Sequence, residues 1–203
     1  EYDIIKEYCD LKKIELMVSC WDLASLNFMK KYNCKYNKVA SARLGHEQLI
    51  REIAKEGKYT FISTGMSTLD EIYKVVSIFE ECNCEYELMH CNSCYPAKDE
   101  ELNLKAIITL KNTFNCNVGY SCHSPGIIAP VIAVALGATS IEKHITLNRT
   151  MYGTDQASSV EIHGLQRMVG YIRDTEIQLG NGLKYITNGE QVCREKLWKT
   201  QDY

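Results

Sequence analysis

The sequence predicts an α/β fold whose parallel strands curl toward a barrel, and three observations carry that expectation. Short β-branched or aromatic runs alternate with amphipathic segments along the 203-residue chain. The runs are near-continuously apolar, as parallel strands roofed by helices are, whereas half-exposed strands alternate. Polar residues gather at the C-terminal end of every run, and a ring of chemistry on one face is a barrel's arrangement.

The first run, Ile14–Val18, ends at Ser19. Tyr36–Ala40 follows, carrying Lys38 and ending at Ser41. His46–Glu56 then places Leu49, Ile50, Ile53 and Ala54 on one helical face, with Gly57 as the residue just past its end. Tyr59–Ser63 leads to Thr64, and Thr68-Leu69-Asp70-Glu71 has capping-box spacing ahead of Ile72, Val75, Val76 and Phe79. Tyr86–Cys91 carries His90, with Ser93 beyond it, and the stripe Leu102, Ala106, Ile107, Leu110 and Phe114 predicts the next helix. Asn117–Ser121 precedes His123. Ser124-Pro125 then reads as a cap and first-turn proline, with Pro130 blurring that start and Gly137 closing the helix. Ala138–His144 contains Glu142 and His144, and a long helix over Ile162–Leu179 stops at Gly180-Asn181-Gly182.

Such strand–helix repeats imply right-handed crossovers. An open doubly wound sheet and a barrel both satisfy them. No Gly-x-Gly-x-x-Gly or Walker loop follows any strand, which weakens a nucleotide-binding reading. Six strands are two fewer than a closed eight-stranded barrel needs, and Glu1 in place of methionine suggests a processed or cut chain. Residues 1–182 form the expected barrel domain; 183–203 break the rhythm and read as a terminal extension.

Composition narrows the class. With 45% hydrophobic and 24% charged residues the chain matches an ordinary soluble domain. A net charge of −3 argues against a broad footprint for nucleic acid or anionic membrane. The run Ile127–Leu136 is too short to span a bilayer, and no signal-like segment opens the chain. Its ten cysteines therefore read as reduced thiols packing as small hydrophobes in the cytoplasm.

His123 and His144 stand at the same end of adjacent strands, so they can converge on one metal; imidazole suits Mn, Fe or Zn, and two satisfied histidines are the alternative. Lys38 within a strand suggests phosphate or carboxylate binding, although the pattern alone favours a lysine snorkelling from a strand end. Asp155, in a Gly- and Ser-rich loop, reads as a base, an outer metal partner or a turn residue. His90, Cys91 and Cys94, with Cys122, offer a Cys/His zinc-binding interaction module as a rival reading.

Four stretches then occur in order: Ser63-Thr64-Gly65-Met66-Ser67-Thr68; His90-Cys91 with Tyr95-Pro96; Gly119-Tyr120-Ser121-x-His123; and Ala135-Leu136-Gly137-Ala138-Thr139-x-Ile141-Glu142-Lys143-His144. Together, from about Cys20 to Gly180, they resemble the N-acetylneuraminate (sialic acid) synthase family, which includes the legionaminic and pseudaminic acid synthases. The resemblance implies a TIM (β/α)8 barrel, here incomplete and limited to strands three to eight. It implies condensation of phosphoenolpyruvate with an open-chain 2-acetamido sugar such as N-acetylmannosamine, giving a nonulosonic acid and phosphate. His123 and His144 would bind Mn²⁺ or Mg²⁺. Lys38, Ser19 and Ser41 would hold the phosphate, with Ser63 nearby, and Ser93 and Ser121 would face the carboxylate. Tyr95 and Asp155 would face the sugar, Asp155 as a candidate base. Another phosphoenolpyruvate-using barrel, of the 3-deoxy-heptulosonate type, is the nearest alternative.

Three departures mark this chain. Arg43 stands where many members carry an acid, and Cys122 where Asp or Gly is common. The family's first two strand–helix units are missing, as is its C-terminal antifreeze-like domain, which reaches into a partner's site in the full-length homodimer. The chain alone is therefore expected to be poorly soluble or oligomeric, and inactive as a synthase.

Overall fold

Each strand is followed by a helix that returns the chain to the same end of the sheet, so neighbouring strands must pair in parallel. The structure, a computed structural model, describes residues 1–198. Helices α1 (Tyr2–Lys12) and α2 (Leu23–Met29) precede β1 (Asn37–Val39). Then come α3 (Glu47–Lys55), β2 (Thr60–Ser63), α4 (Leu69–Glu81), β3 (Tyr86–Cys91) and α5 (Ala106–Phe114). The chain continues through β4 (Val118–Cys122), α6 (Ile128–Ala135), β5 (Ile141–Lys143), α7 (Ile162–Leu179) and α8 (Asn188–Leu197). All pairings are parallel and the order is β1-β2-β3-β4-β5. A doubly wound sheet reverses its order at a switch point; this one never does, and it curls into half of a barrel.

The pleat sorts the side chains. Val39, Ile62, Leu88, Val118 and Tyr120 face outward and are at most 1% exposed, packed under Leu49, Ile50 and Ile53 of α3, Val75, Val76 and Phe79 of α4, and Ile107 and Leu110 of α5. Each such burial is worth about 1.5–3 kcal/mol relative to exposure. Val134 of α6 with Met168 and Ile172 of α7 forms a second, smaller cluster.

Local signals act as the sequence suggests at several ends. His46 caps α3, its Nδ1 accepting from the Leu49 amide at 3.3 Å. Both bonds of the Thr68–Glu71 capping box form at α4. Gly180, at φ +58°, terminates α7.

Three expectations are corrected. Ile14–Val18 is not a strand: Leu16 and Val18 pack on the core, but Ile14 stays 65% exposed and only Ser19 bridges to Lys38. The sheet therefore has five strands instead of six. Ser124-Pro125 does not start α6, which begins at Ile128. Pro130 then falls in the first turn, where no backbone N–H is needed. Leu102 precedes α5 in the loop, although it is buried as its stripe required. Of the expected extension, α8 buries none of its side chains, and 199–203 lie outside the described residues.

Inside the curl, at the N-terminal end of β3, Glu87 is 4% exposed. Its carboxyl accepts from Tyr59 Oη (2.8 Å), Thr139 Oγ1 (2.7 Å) and Ser140 Oγ (2.5 Å), tying the starts of β2 and β5 to β3. Ser140 reaches Glu87 across β4 because Gly119 has no side chain there: a Cβ would sit 2.1 Å from Ser140 Oγ and 2.8 Å from Glu87 Oε1. Glu87→Ala leaves these hydroxyls without their acceptor and is expected to cost about 3 kcal/mol, with Glu87→Gln costing less. Urea-denaturation midpoints measure both, and an unchanged midpoint for Glu87→Ala would refute the assignment.

Candidate active site

A strand that buries one face must turn its alternate residues the other way. Residues of the opposite parity to Val39, Ile62, Leu88 and Tyr120 therefore point into the curl: Lys38, Ser63, Cys91, Ser121 and Glu142. Two positions further along the last two strands come His123 and His144. Together with loop residues, Lys38, Ser63, Ser121, Glu142 and His123 line a cleft of about 310 Å³ at the C-terminal rim.

Of the side chains picked out from sequence, Ser19, Lys38, Ser41, Ser63, Ser93, Tyr95, Ser121 and His123 all line this cleft. His144 adjoins it, its ring centroid 5.3 Å from that of His123 and 5.6 Å from that of Tyr95. Asp155, from the loop after β5, brings Oδ2 to 3.9 Å from His144 Nδ1, just beyond hydrogen-bond reach.

Lys38 is buried at 6% exposure, so it does not snorkel. Its ammonium donates to Ser63 Oγ and, at 2.9 Å, to Glu142 Oε2 across the curl. Burial alone would raise the Glu142 carboxyl. The Lys38 charge and hydrogen bond outweigh it, helped by Ser121 and His123, and hold the group below 4.5. Ser41 Oγ accepts the Gly65 N–H at 3.0 Å and lies 3.2 Å from Cys91 Sγ. Gly65 forms the floor between them: a Cβ there would lie 2.2 Å from Ser93 Oγ and 2.9 Å from Ser41 Oγ. Ser19 Oγ is buried and has no hydrogen-bond partner among the described residues, an acceptor and donor left for a ligand. At the rim the Arg43 guanidinium stacks 4.8 Å from the centroid of the cleft-lining Trp21.

His123 meets the Asn92 carbonyl through Nδ1 at 2.5 Å. A carbonyl only accepts, so Nδ1 carries the proton and Nε2 of the neutral ring presents its lone pair toward Tyr95 Oη (3.1 Å) and Ser121 Oγ (3.4 Å). Burial pushes the His123 pKa down from 6.5 and nearby His144 pushes the same way, against the Asn92 bond. Burial likewise pushes the Tyr95 phenol up. Two imidazoles with one tautomer fixed from behind fit a borderline divalent ion that keeps open positions. Among the described residues no three His, Cys, Asp or Glu side chains gather closely enough to hold a metal by themselves.

The zinc-module reading does not survive. His90 and Cys91 are consecutive on β3 and face opposite sides: His90 Nε2 bonds the Leu102 carbonyl at 2.8 Å under the helices, while Cys91 lies at the cleft and Cys94 is exposed. Sequence reasoning left Glu142 out of the site. The signal was available, since it lies two residues before His144 and shares its face.

Comparison with known proteins adds four findings. A family model described as NeuB matches residues 1–184. The chain is 42% identical over 158 residues to a pseudaminic acid synthase of Campylobacter jejuni, covering 77% of this chain and 46% of that protein. It is 33% identical over 201 residues to the human N-acetylneuraminate-9-phosphate synthase, covering 98% and 56%. A crystal structure of the N-acetylneuraminic acid (sialic acid) synthetase of Leptospira borgpetersenii, in complex with citrate, superposes with a TM-score of 0.89 at 34% identity, over 96% of this chain and 69% of that one. The chain thus spans about half the length of the curated relatives it matches.

A histidine whose folded pKa lies below its ordinary 6.5 takes up a proton in the unfolded chain first. Stability is then full above pH 6.5 and falls as the pH drops from there toward the lowered folded value. His90, also pushed down by burial, adds to this slope. His123→Asn is expected to flatten the loss of stability as the pH falls below 6.5; an unaltered slope in urea titrations at several pH values would count against it.

Proposed function

The chain belongs to the NeuB family, and from that premise we propose that the protein condenses phosphoenolpyruvate with an open-chain 2-acetamido sugar to a nonulosonic acid and phosphate. The observation that carries this reading is one cleft joining a buried lysine, several hydroxyls and the His123 imidazole, with the His144 ring adjoining. An anionic three-carbon donor needs the first two, and an aldehyde acceptor needs an electrophilic activator.

In this reading Lys38, Ser19, Ser41 and Ser63 hold the donor's phosphate, and Ser93 and Ser121 face its carboxylate. Tyr95 and Asp155 face the sugar. His123 and His144 would hold Mn²⁺ or Mg²⁺, and imidazole ligation favours Mn²⁺. A divalent ion bound there supplies Lewis acidity toward the aldehyde oxygen. The donor's enol carbon forms the new C–C bond to the aldehyde carbon. Water adds at the donor's central carbon, and phosphate leaves with the bridging oxygen by C–O cleavage. Asp155, within 4 Å of His144, is the group to take a proton from the sugar hydroxyl or the attacking water. Lys38 and Asp155 are thus the side chains assigned catalytic roles.

The chain's relatives include a pseudaminic acid synthase and an N-acetylneuraminate-9-phosphate synthase, so the acceptor belongs to the class of 2-acetamido sugars. A homodimer of the full-length protein and a cytoplasmic setting complete the proposal. All ten cysteines are free, which supports a reducing compartment. No helix among the described residues is long and apolar enough to cross a membrane.

The test is inorganic phosphate release by the natural gene product from phosphoenolpyruvate, with a panel of acetamido sugars and added Mn²⁺. No sugar-dependent release with any of them overturns the proposal. Lys38→Met should raise KM for phosphoenolpyruvate roughly 100-fold, as loss of a charge-assisted contact does. Gly65→Ala should weaken the same step by filling the floor, leaving Mn²⁺ binding intact. The double variant His123→Ala, His144→Ala should abolish Mn²⁺ binding.

A further inference from the structure

Lys143 lies between Glu142 and His144 and shares the parity of neither. Its side chain runs behind the sheet, where the mechanism above makes no use of it. There Nζ donates to the Ser124 carbonyl, to the Ser158 carbonyl at 3.1 Å and to Cys122 Sγ at 3.4 Å. Its partners are two backbone oxygens and a thiol, with no carboxylate among them.

Those two carbonyls belong to the two loops that matter. Ser124 directly follows His123. Ser158 closes a turn that starts at Asp155: the hydroxyls of Ser158 and Ser159 both donate to the Asp155 carbonyl, at 2.9 and 2.7 Å. Ser124 is 1% and Ser158 0% exposed, so neither carbonyl can exchange the ammonium for bulk water. A buried carbonyl left unmatched costs about 1–3 kcal/mol, which the loop would relieve by moving. The strand that presents His144 therefore also fixes where His123 and Asp155 stand relative to it.

We propose that Lys143 is a positioning residue, which fastens the His123 loop and the Asp155 loop to the His144 strand from the reverse face of the sheet. The proposal rests on the reading of His123, His144 and Asp155 given above. Supporting groups behind metal ligands typically change affinity 10- to 100-fold when removed.

The experiment compares Lys143→Met, Lys143→Arg and, as a control for general destabilisation, Glu87→Gln at the opposite end of the curl. Mn²⁺ alone is titrated into the natural gene product and followed by electron paramagnetic resonance, and amide hydrogen exchange is read over 123–126 and 155–160. Lys143→Met is expected to weaken Mn²⁺ binding about 10-fold or more and to speed exchange in both segments together. Lys143→Arg restores both, and Glu87→Gln changes neither. Should Lys143→Met fail to fold, Lys143→Gln takes its place, keeping two donors on a shorter stem. Unchanged exchange in both segments, exchange that changes in one loop only, or an equal loss of Mn²⁺ in Glu87→Gln overturns the proposal. Wild-type protein whose Mn²⁺ binding is absent, or indifferent to His123→Ala with His144→Ala, overturns the metal reading instead; the exchange result then decides the role of Lys143 by itself.

Discussion

Everything in this molecule depends on the two-residue alternation of side chains along five parallel strands. In β1, Val39 goes under the helices and Lys38 goes into the curl. In β4, Val118, Tyr120 and Cys122 go out, while Gly119 and Ser121 go in. Parallel pairing keeps the C-terminal ends of all strands at one rim, so the inward polar residues of separate strands meet there without any loop having to travel. A slip of one residue in β1 would put Lys38 under the helices and Val39 in the cleft. The apolar face thus enforces the geometry of the polar one. That is how hydrophobic burial, which has no direction of its own, fixes where Lys38, Ser121 and Glu142 stand.

The same alternation explains what could be read from sequence. All five strands, β1 to β5, were legible because apolar runs of the right length are bounded by turn residues, and the Thr68–Glu71 box and Gly180 mark helix ends by local chemistry alone. The His123–His144 pairing was legible from position, since both residues sit just past adjacent strands. Ile14–Val18 misled because an apolar run reports burial, not pairing; Leu16 and Val18 are covered although only Ser19 bridges to β1. The Cys/His cluster misled for a related reason. Adjacent residues in a strand are far apart in function, and His90 and Cys91 serve opposite faces. Burial of Lys38 was not legible at all. It depends on Glu142, 104 positions away, and no local pattern encodes a partner at that distance.

That ion pair also bears on how the curl keeps its shape. Among the described residues the five strands do not close on themselves: beyond β1 there is one bridge at Ser19, and beyond β5 one between Ile145 and Val160. A closed barrel holds its curvature through its hydrogen-bond ladder; here the ladder is open, and ties across the inner face must contribute. Two that reach β5 stand at opposite ends. Glu87 gathers hydroxyls from the starts of β2 and β5, and Lys38 reaches from β1 to Glu142 on β5. The lower tie is made to three neutral donors. The upper one lines the cleft, and among the described residues its ammonium has one ionic partner, a partly exposed carboxylate. Removing an ammonium from water costs several kcal/mol, which a single partner offsets incompletely. Under the function proposed above, an anionic donor would meet a cation still short of compensation, beside a Ser19 hydroxyl that is unpartnered among the described residues. The group that braces the upper rim is thus the group with most to gain from an anion, so binding a ligand there and holding the first and last strands together are one and the same electrostatic problem.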